Sequence, residues 1–72
     1  NAFVVELETP ASREKLLHVL ADQGALQYNG GFYTITSSTL TAQDMLIKLV
    51  NGNIPINYFR DITHSTKRFF NL

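Results

Sequence analysis

Two histidines, His18 and His64, are the side chains of this sequence best placed to move a proton or hold a metal near neutral pH. A metal centre needs three or four convergent ligands, and the chain has no cysteine to add a thiolate. His18 therefore reads as a solvated or interfacial residue, and His64 as part of a cap-rich stretch. The hydroxyls of Ser12, Ser37, Ser38 and Ser65 become nucleophiles only beside a base that a third group orients, and no such pattern stands in the sequence. Glu6 and Glu8 are two apart and point alike on a strand. Such a pair can do acid-base work, but on an open sheet face it acts as solvated charge that discourages aggregation. Gly30-Gly31 is too short to cradle a phosphate, and no Lys-Ser or Lys-Thr follows it. Phe32 and Tyr33 cannot form one stacking platform for bases, because neighbours on a strand point to opposite faces.

Composition narrows the classes further. The chain has 72 residues, 44% apolar, with six basic side chains balanced by six acidic ones. That length suits one small domain whose single core is only just large enough. The absence of cysteine removes disulfides, thiolate zinc sites and iron-sulfur clusters. A net charge of zero gives no basic footprint for nucleic acid or anionic lipid. No apolar run approaches the roughly 20 residues of a membrane span. The start, Asn1-Ala2, looks like the remnant of a cleaved expression tag, so residues 3–72 are expected to be one accessory-sized domain cut from a longer protein.

The elements that must position these residues follow from periodicity. Residues 3–8 alternate, with Phe3, Val5 and Leu7 opposite Val4, Glu6 and Glu8, which predicts a half-buried strand. Thr9 as N-cap and Pro10 at the first helical position open a helix over residues 11–23, with Leu16, Leu17, Leu20 and Ala21 on its apolar face and Gly24 as a left-handed stop. Residues 25–28 and 32–37 predict a hairpin about an Asn29-Gly30 turn, with Leu26 opposite Tyr33 and with Leu26, Tyr28, Tyr33 and Ile35 on one face. Thr39 or Thr41 caps a second helix, Asp44 completing a capping box with Thr41. Its face is Met45, Leu46, Leu49 and Val50, and Asn51-Gly52 closes it. Residues 54–62 predict a last strand with Ile54, Ile56, Tyr58 and Ile62 on one side and Asn57, Phe59 and Asp61 on the other. A short helix over residues 66–72 must dock through Phe69 or Phe70, being too short to persist alone.

This order predicts an α+β, ferredoxin-like split βαββαβ fold: a four-stranded antiparallel sheet with two helices on one face, plus the short C-terminal helix. The expected core is Val5, Leu7, Leu16, Leu17, Leu20, Leu26, Ile35, Met45, Leu46, Leu49, Val50 and Ile56. The face away from the helices would carry Val4, Glu6, Gln27, Phe32, Thr34, Asn57 and Phe59. Phe32 and Phe59 are its exposed aromatics.

The most distinctive run is residues 58–70, Tyr-Phe-Arg-Asp-Ile-Thr-His-Ser-Thr-Lys-Arg-Phe-Phe. It resembles the end of the small domain that follows the nucleotide-binding domain in ATP-binding subunits of ABC transporters of the drug-export, daunorubicin-resistance-like class. In that family a last strand runs into a Ser-Leu-Glu-Asp-Val-Phe-like segment that starts a final short helix. Ser65 matches the serine and Phe70 the closing aromatic, while Thr66, Lys67 and Arg68 depart from Leu-Glu-Asp, so the gliding-motility-like branch fits better. The resemblance implies a non-catalytic accessory or regulatory domain at the cytoplasmic face of the cell membrane. Its implied partners are the nucleotide-binding domain of the same chain and a membrane permease subunit, with a second copy of the domain as a further partner and no nucleic acid. The contact residues expected in the C-terminal segment are Ser65, Lys67, Arg68, Phe69 and Phe70, and on the sheet face the exposed aromatics Phe32 and Phe59. ATP and magnesium would belong to the rest of the parent protein, since this chain has no Gly-x-x-x-x-Gly-Lys-Ser/Thr loop and no Leu-Ser-Gly-Gly-Gln signature.

Two rivals share the order of elements. An ACT-like regulatory domain would bind an amino acid at the first strand-helix junction, here Thr9-Pro10-Ala11-Ser12, where a close-packed glycine is missing. An acylphosphatase-like enzyme would need an arginine-bearing phosphate loop after the first strand, whereas Arg13 already falls within the helical pattern.

Overall fold

Alternation along the first strand is matched by burial. In β1 (Phe3–Glu8) Val5 and Leu7 are fully buried while Val4, Glu6 and Glu8 keep part of their exposure. The structure, a computed structural model, describes residues 2–64. The elements that follow are α1 (Arg13–Val19), β2 (Ala25–Asn29), β3 (Phe32–Ser37), α2 (Ala42–Asn51) and β4 (Tyr58–Asp61). The sheet has the order β2-β3-β1-β4 with every neighbouring pair antiparallel, an α+β fold in the ferredoxin-like arrangement. The two central strands, β1 and β3, bring Val5 opposite Ile35. The helices cover that side, so Leu16 and Leu20 of the first helical segment and Met45 and Leu49 of α2 join Val5, Leu7, Leu26 and Ile35 in one core. The predicted closing helix, residues 66–72, lies outside the described residues.

Several boundaries depart from the sequence expectation. Helix α1 starts later and ends earlier. Its N-cap is Ser12, whose hydroxyl accepts from the Lys15 amide, because Thr9 is engaged elsewhere: its hydroxyl donates to the Pro55 carbonyl and accepts from the Ala11 amide. The helix stops through Ala21 and Asp22, both in the left-handed region at φ 54° and 58°, without help from Gly24. Gly24 is needed for closeness instead, since a Cβ there would meet Ile35 Cγ2 at 3.0 Å. Helix α2 opens with the expected capping box between Thr41 and Asp44. After it, Asn53 at φ 60° turns the chain, and Gly52 leaves room for Val19.

The hairpin turns about Gly30-Gly31, with φ of 54° and 102°, and not about Asn29-Gly30. A primed turn needs positive φ at both central residues, which two glycines supply at no steric cost. Asn29 thereby stays in β2 opposite Phe32, and Leu26 faces Ile35. This slip is even, so the face of every hairpin residue is as predicted.

The last strand is shorter, and its parity differs. Residues 54–57 are irregular, held by the Asn57 amide on the Glu8 carbonyl, and pairing begins at Tyr58 opposite Glu8. The break lets Ile54 and Ile56 face the core and then puts Phe59 there too, opposite Leu7. Val50, placed in the core by its helical spacing, is 57% exposed, while Leu40 and Ile54 are buried. The stripe that α2 buries is narrower than the apolar face of its sequence.

Candidate functional site

The polar side chains with chemical capacity are largely engaged in closing the fold. Ser37 is the one buried polar residue among those described. Its hydroxyl donates to the Gln23 carbonyl at 2.6 Å and accepts from the Thr39 and Leu40 amides at 3.2 and 2.9 Å. These bonds tie the turn after α1 to the entry of α2. Ser12 and Thr41 cap helices, and Arg13 reaches the Leu26 carbonyl of β2 at 3.2 Å. Thr9, at the junction where an ACT-like domain would take its ligand, clasps Pro55. His18 is exposed at the last turn of α1, beside a shallow depression shared with Val19, Lys48, Asn51 and Gly52. Glu14, His18 and Asp22 stand four apart in sequence, but the helix ends before Asp22. Among the described residues no group of three or more His, Cys, Asp or Glu side chains could hold a metal ion.

The register defines the sheet face away from the helices in rows. Phe32, Glu8 and Tyr58 come from β3, β1 and β4 at one end; Gln27, Thr34, Glu6 and Arg60 cross the middle; Ala25, Thr36 and Val4 lie at the other end. Phe32 is half-buried and sets its ring edge-on to Tyr58, with centroids 5.3 Å apart and planes at 69°. This geometry suits aromatic quadrupoles and adds about 0.5–1.5 kcal/mol beyond area burial. The Tyr58 hydroxyl also points to Glu6 Oε1 at 3.5 Å. The aromatic partner of Phe32 on this face is therefore Tyr58 and not Phe59. An unbroken alternation from residue 54 to 62 assigned those two neighbours the wrong way round. The bend at Asn57 is the physical reason, and Pro55, which cannot donate to a ladder, gave the warning in the sequence.

Where the chain leaves β4 it is fastened to the corner of this face. The Thr63 hydroxyl accepts from the Val4 amide at 2.9 Å and donates to the Val4 carbonyl at 3.2 Å, and the Ile62 amide bonds the same carbonyl. Asp61 accepts from the Thr63 amide at 3.0 Å. That bond, with smaller contributions from the neighbouring Thr63 side chain and from His64, holds the Asp61 carboxyl below its ordinary range. The other residues expected to make contacts, Ser65, Lys67, Arg68, Phe69 and Phe70, lie outside the described residues.

Comparison with family models, with curated proteins and with solved structures finds no match to this chain. Among the described residues no helix is long and apolar enough to cross a membrane.

Proposed function

We propose that this chain is a non-catalytic accessory domain of an ABC transporter ATP-binding subunit, mediating subunit assembly or regulation of ATP-driven transport. The observation that carries this reading is the run of residues 58–70, which begins in the edge strand β4 and resembles the ending of that domain family. The arrangement of the described residues supports it in two ways. The hydroxyls of Ser12, Ser37, Thr9 and Thr41 serve caps and loop closures. The one adjacent glycine pair is a hairpin turn, not a phosphate cradle. Such a domain works by contact, at the cytoplasmic side of the membrane, with the nucleotide-binding domain of its own chain and with a permease subunit. In this reading ATP and magnesium belong to the rest of the parent subunit.

The decisive test starts from the gene. The reading frame immediately upstream should encode a Gly-x-x-x-x-Gly-Lys-Ser/Thr loop, and a frame without one would overturn the reading. In the parent subunit, deleting residues 3–72 should preserve ATP hydrolysis by the remaining core while lowering recovery of the assembled transporter. For the chain alone, calorimetric titration with Mg-ATP should give no saturable heat at micromolar ligand. Saturable heat with an amino acid instead would favour an ACT-like regulatory domain.

A further inference from the structure

The direction of the backbone groups can be followed across the sheet from β4 to β2. The Val4 carbonyl accepts from the Ile62 amide, the Val4 amide donates to Thr63, and the Glu8 carbonyl accepts from the Asn57 amide, so these residues of β1 turn their backbone toward β4. Successive residues of a strand alternate in this respect. Val5 and Leu7 therefore bond Ile35 and Tyr33 of β3, which leaves Phe32, Thr34 and Thr36 to bond their partners in β2. Gln27 spends its backbone groups on Thr34, and those of Leu26 and Tyr28 point out of the sheet. The Arg13 guanidinium on the Leu26 carbonyl, at 3.2 Å, agrees with that direction and uses one of the two lone pairs there. Among the described residues no strand pairs with these groups, since β2 is an edge.

The two edges are built differently. β4 follows Pro55 and carries the exposed charges of Arg60 and Asp61, devices that blunt an edge against pairing. β2 has neither proline nor charge, and its Tyr28 is 60% exposed beside the ring of Tyr33. Such an edge is a template for one more strand. The strand that matches it is β2 itself. Laid antiparallel to its own copy about Gln27, it sets the outward groups of Leu26 against those of Tyr28 and, by the two-fold, those of Tyr28 against Leu26, each pair exchanging both of its bonds.

We propose that the outer edge of β2 is the docking surface for a second copy of this chain, joined antiparallel about Gln27 so that the two sheets become one. Gln27 then lies directly opposite its counterpart, with Cα atoms about 4.5 Å apart and both side chains on the open face. The contact is small and belongs with weak, transient interfaces, forming at about 0.1–1 mM chain. The proposal goes beyond the transporter reading and does not depend on it, because it rests on the backbone register of this chain alone.

The test is sedimentation equilibrium of the full chain, with a charge exchange at the point where the two copies cross. Gln27 is exposed, so Gln27→Lys and Gln27→Glu should both fold, which circular dichroism checks. Like charges directly opposite destabilise a strand pair, so either variant alone should associate about two- to fivefold more weakly than the parent. An equimolar mixture of the two should restore association at least to the parent level, as a Lys-Glu pair. A second measurement needs no substitution. Amide exchange at Leu26 and Tyr28 should slow as the parent chain is concentrated to about 1 mM, while exchange at Phe59 and Asp61, the outward positions of β4 by the same alternation, should not change. A parent chain still monomeric at about 1 mM, variants that associate as the parent does, a mixture no stronger than either variant alone, or slowing at Phe59 and Asp61 instead would each overturn the proposal.

Discussion

On the side of the sheet that carries the helices, Val5, Leu7 and Ile35 lose all contact with water. One residue along the same strands, on the other side, Val4, Glu6, Thr34 and Thr36 keep a share of theirs. Both faces have the same strands, pairing and twist, so the difference comes from side-chain type and from what lies above. It separates two jobs. The covered face supplies the apolar burial, at roughly 25 cal/mol per Å², that a chain of this size needs to fold. The open face contributes little to that burial, and its residues are free to be chosen for contact.

The comparison breaks first where the covered face is truncated. Leu16→Ala or Leu20→Ala, each at a fully buried site, should cost about 2–5 kcal/mol in urea unfolding. A small domain has about 5–15 kcal/mol in all, so either variant should lose a large share of its stability. Val50→Ala, on the exposed side of α2, should stay within about 0.5 kcal/mol, and Phe32→Thr on the open face well below the leucine variants. Equal losses at Phe32 and Leu16 would mean that the two faces are not distinct.

Overpacking should come next. A Cβ at Gly52 would lie 2.7 Å from both methyls of Val19, where the ends of the two helices meet. Neither a β-branched side chain nor the adjoining helix end can yield cheaply, so Gly52→Ala should cost about 1–3 kcal/mol. The double variant Gly52→Ala with Val19→Ala should recover part of that loss. A single variant as stable as the parent would show that the helices slide apart without cost.

Ser37→Ala sharpens the comparison from the polar side, as Ser37 is the hydroxyl buried among the covered residues. Its removal leaves the Leu40 and Thr39 amides and the Gln23 carbonyl without their partner. An unsatisfied buried group costs about 1–3 kcal/mol, and amide exchange at Leu40 should speed accordingly. Ser38→Ala, one residue on and exposed, should do neither.

These contrasts also show which parts of the molecule the sequence makes readable. Parity within an unbroken strand is local, so Val5 and Leu7 against Glu6, or Leu26 against Gln27, follow from types alone. The Thr41–Asp44 capping box is equally local. Parity across an irregular link is not. The Asn57 amide finds the Glu8 carbonyl, a partner far away in sequence, and that bond decides that Phe59 turns inward and Tyr58 outward. Glycine is ambiguous for a similar reason. Gly24 and Gly52 look like left-handed stops, yet both are required by a neighbour's closeness, Ile35 and Val19, which only the folded chain supplies. The make-up of the open face was legible in part: Phe32 lies on it as its alternation predicts, whereas its aromatic neighbour there, Tyr58, depended on the same distant bond.

The smallest effect expected lies where the two faces meet, at the end of β4. Asp61 stands opposite Val5, and its carboxylate accepts the Thr63 amide that begins the turn fastened to Val4 on the open side. Hydrogen bonding to the charged form lowers the carboxyl's folded-state value below that of the unfolded chain, about 3.9. The sign follows by linkage. The stabilisation is fully present above the unfolded value and disappears as pH falls through the lower folded value, where both states bind the proton equally. Because the group is exposed, the energy is screened and small. The side-chain carbon resonance of Asp61 should therefore titrate below the ordinary aspartate range, and Thr63→Ala should bring it only part of the way back, since the backbone amide is the larger cause. An inflection at or above the ordinary value would mean that the turn does not hold its bond in solution, and that the exit of the chain toward the open face is not fixed there.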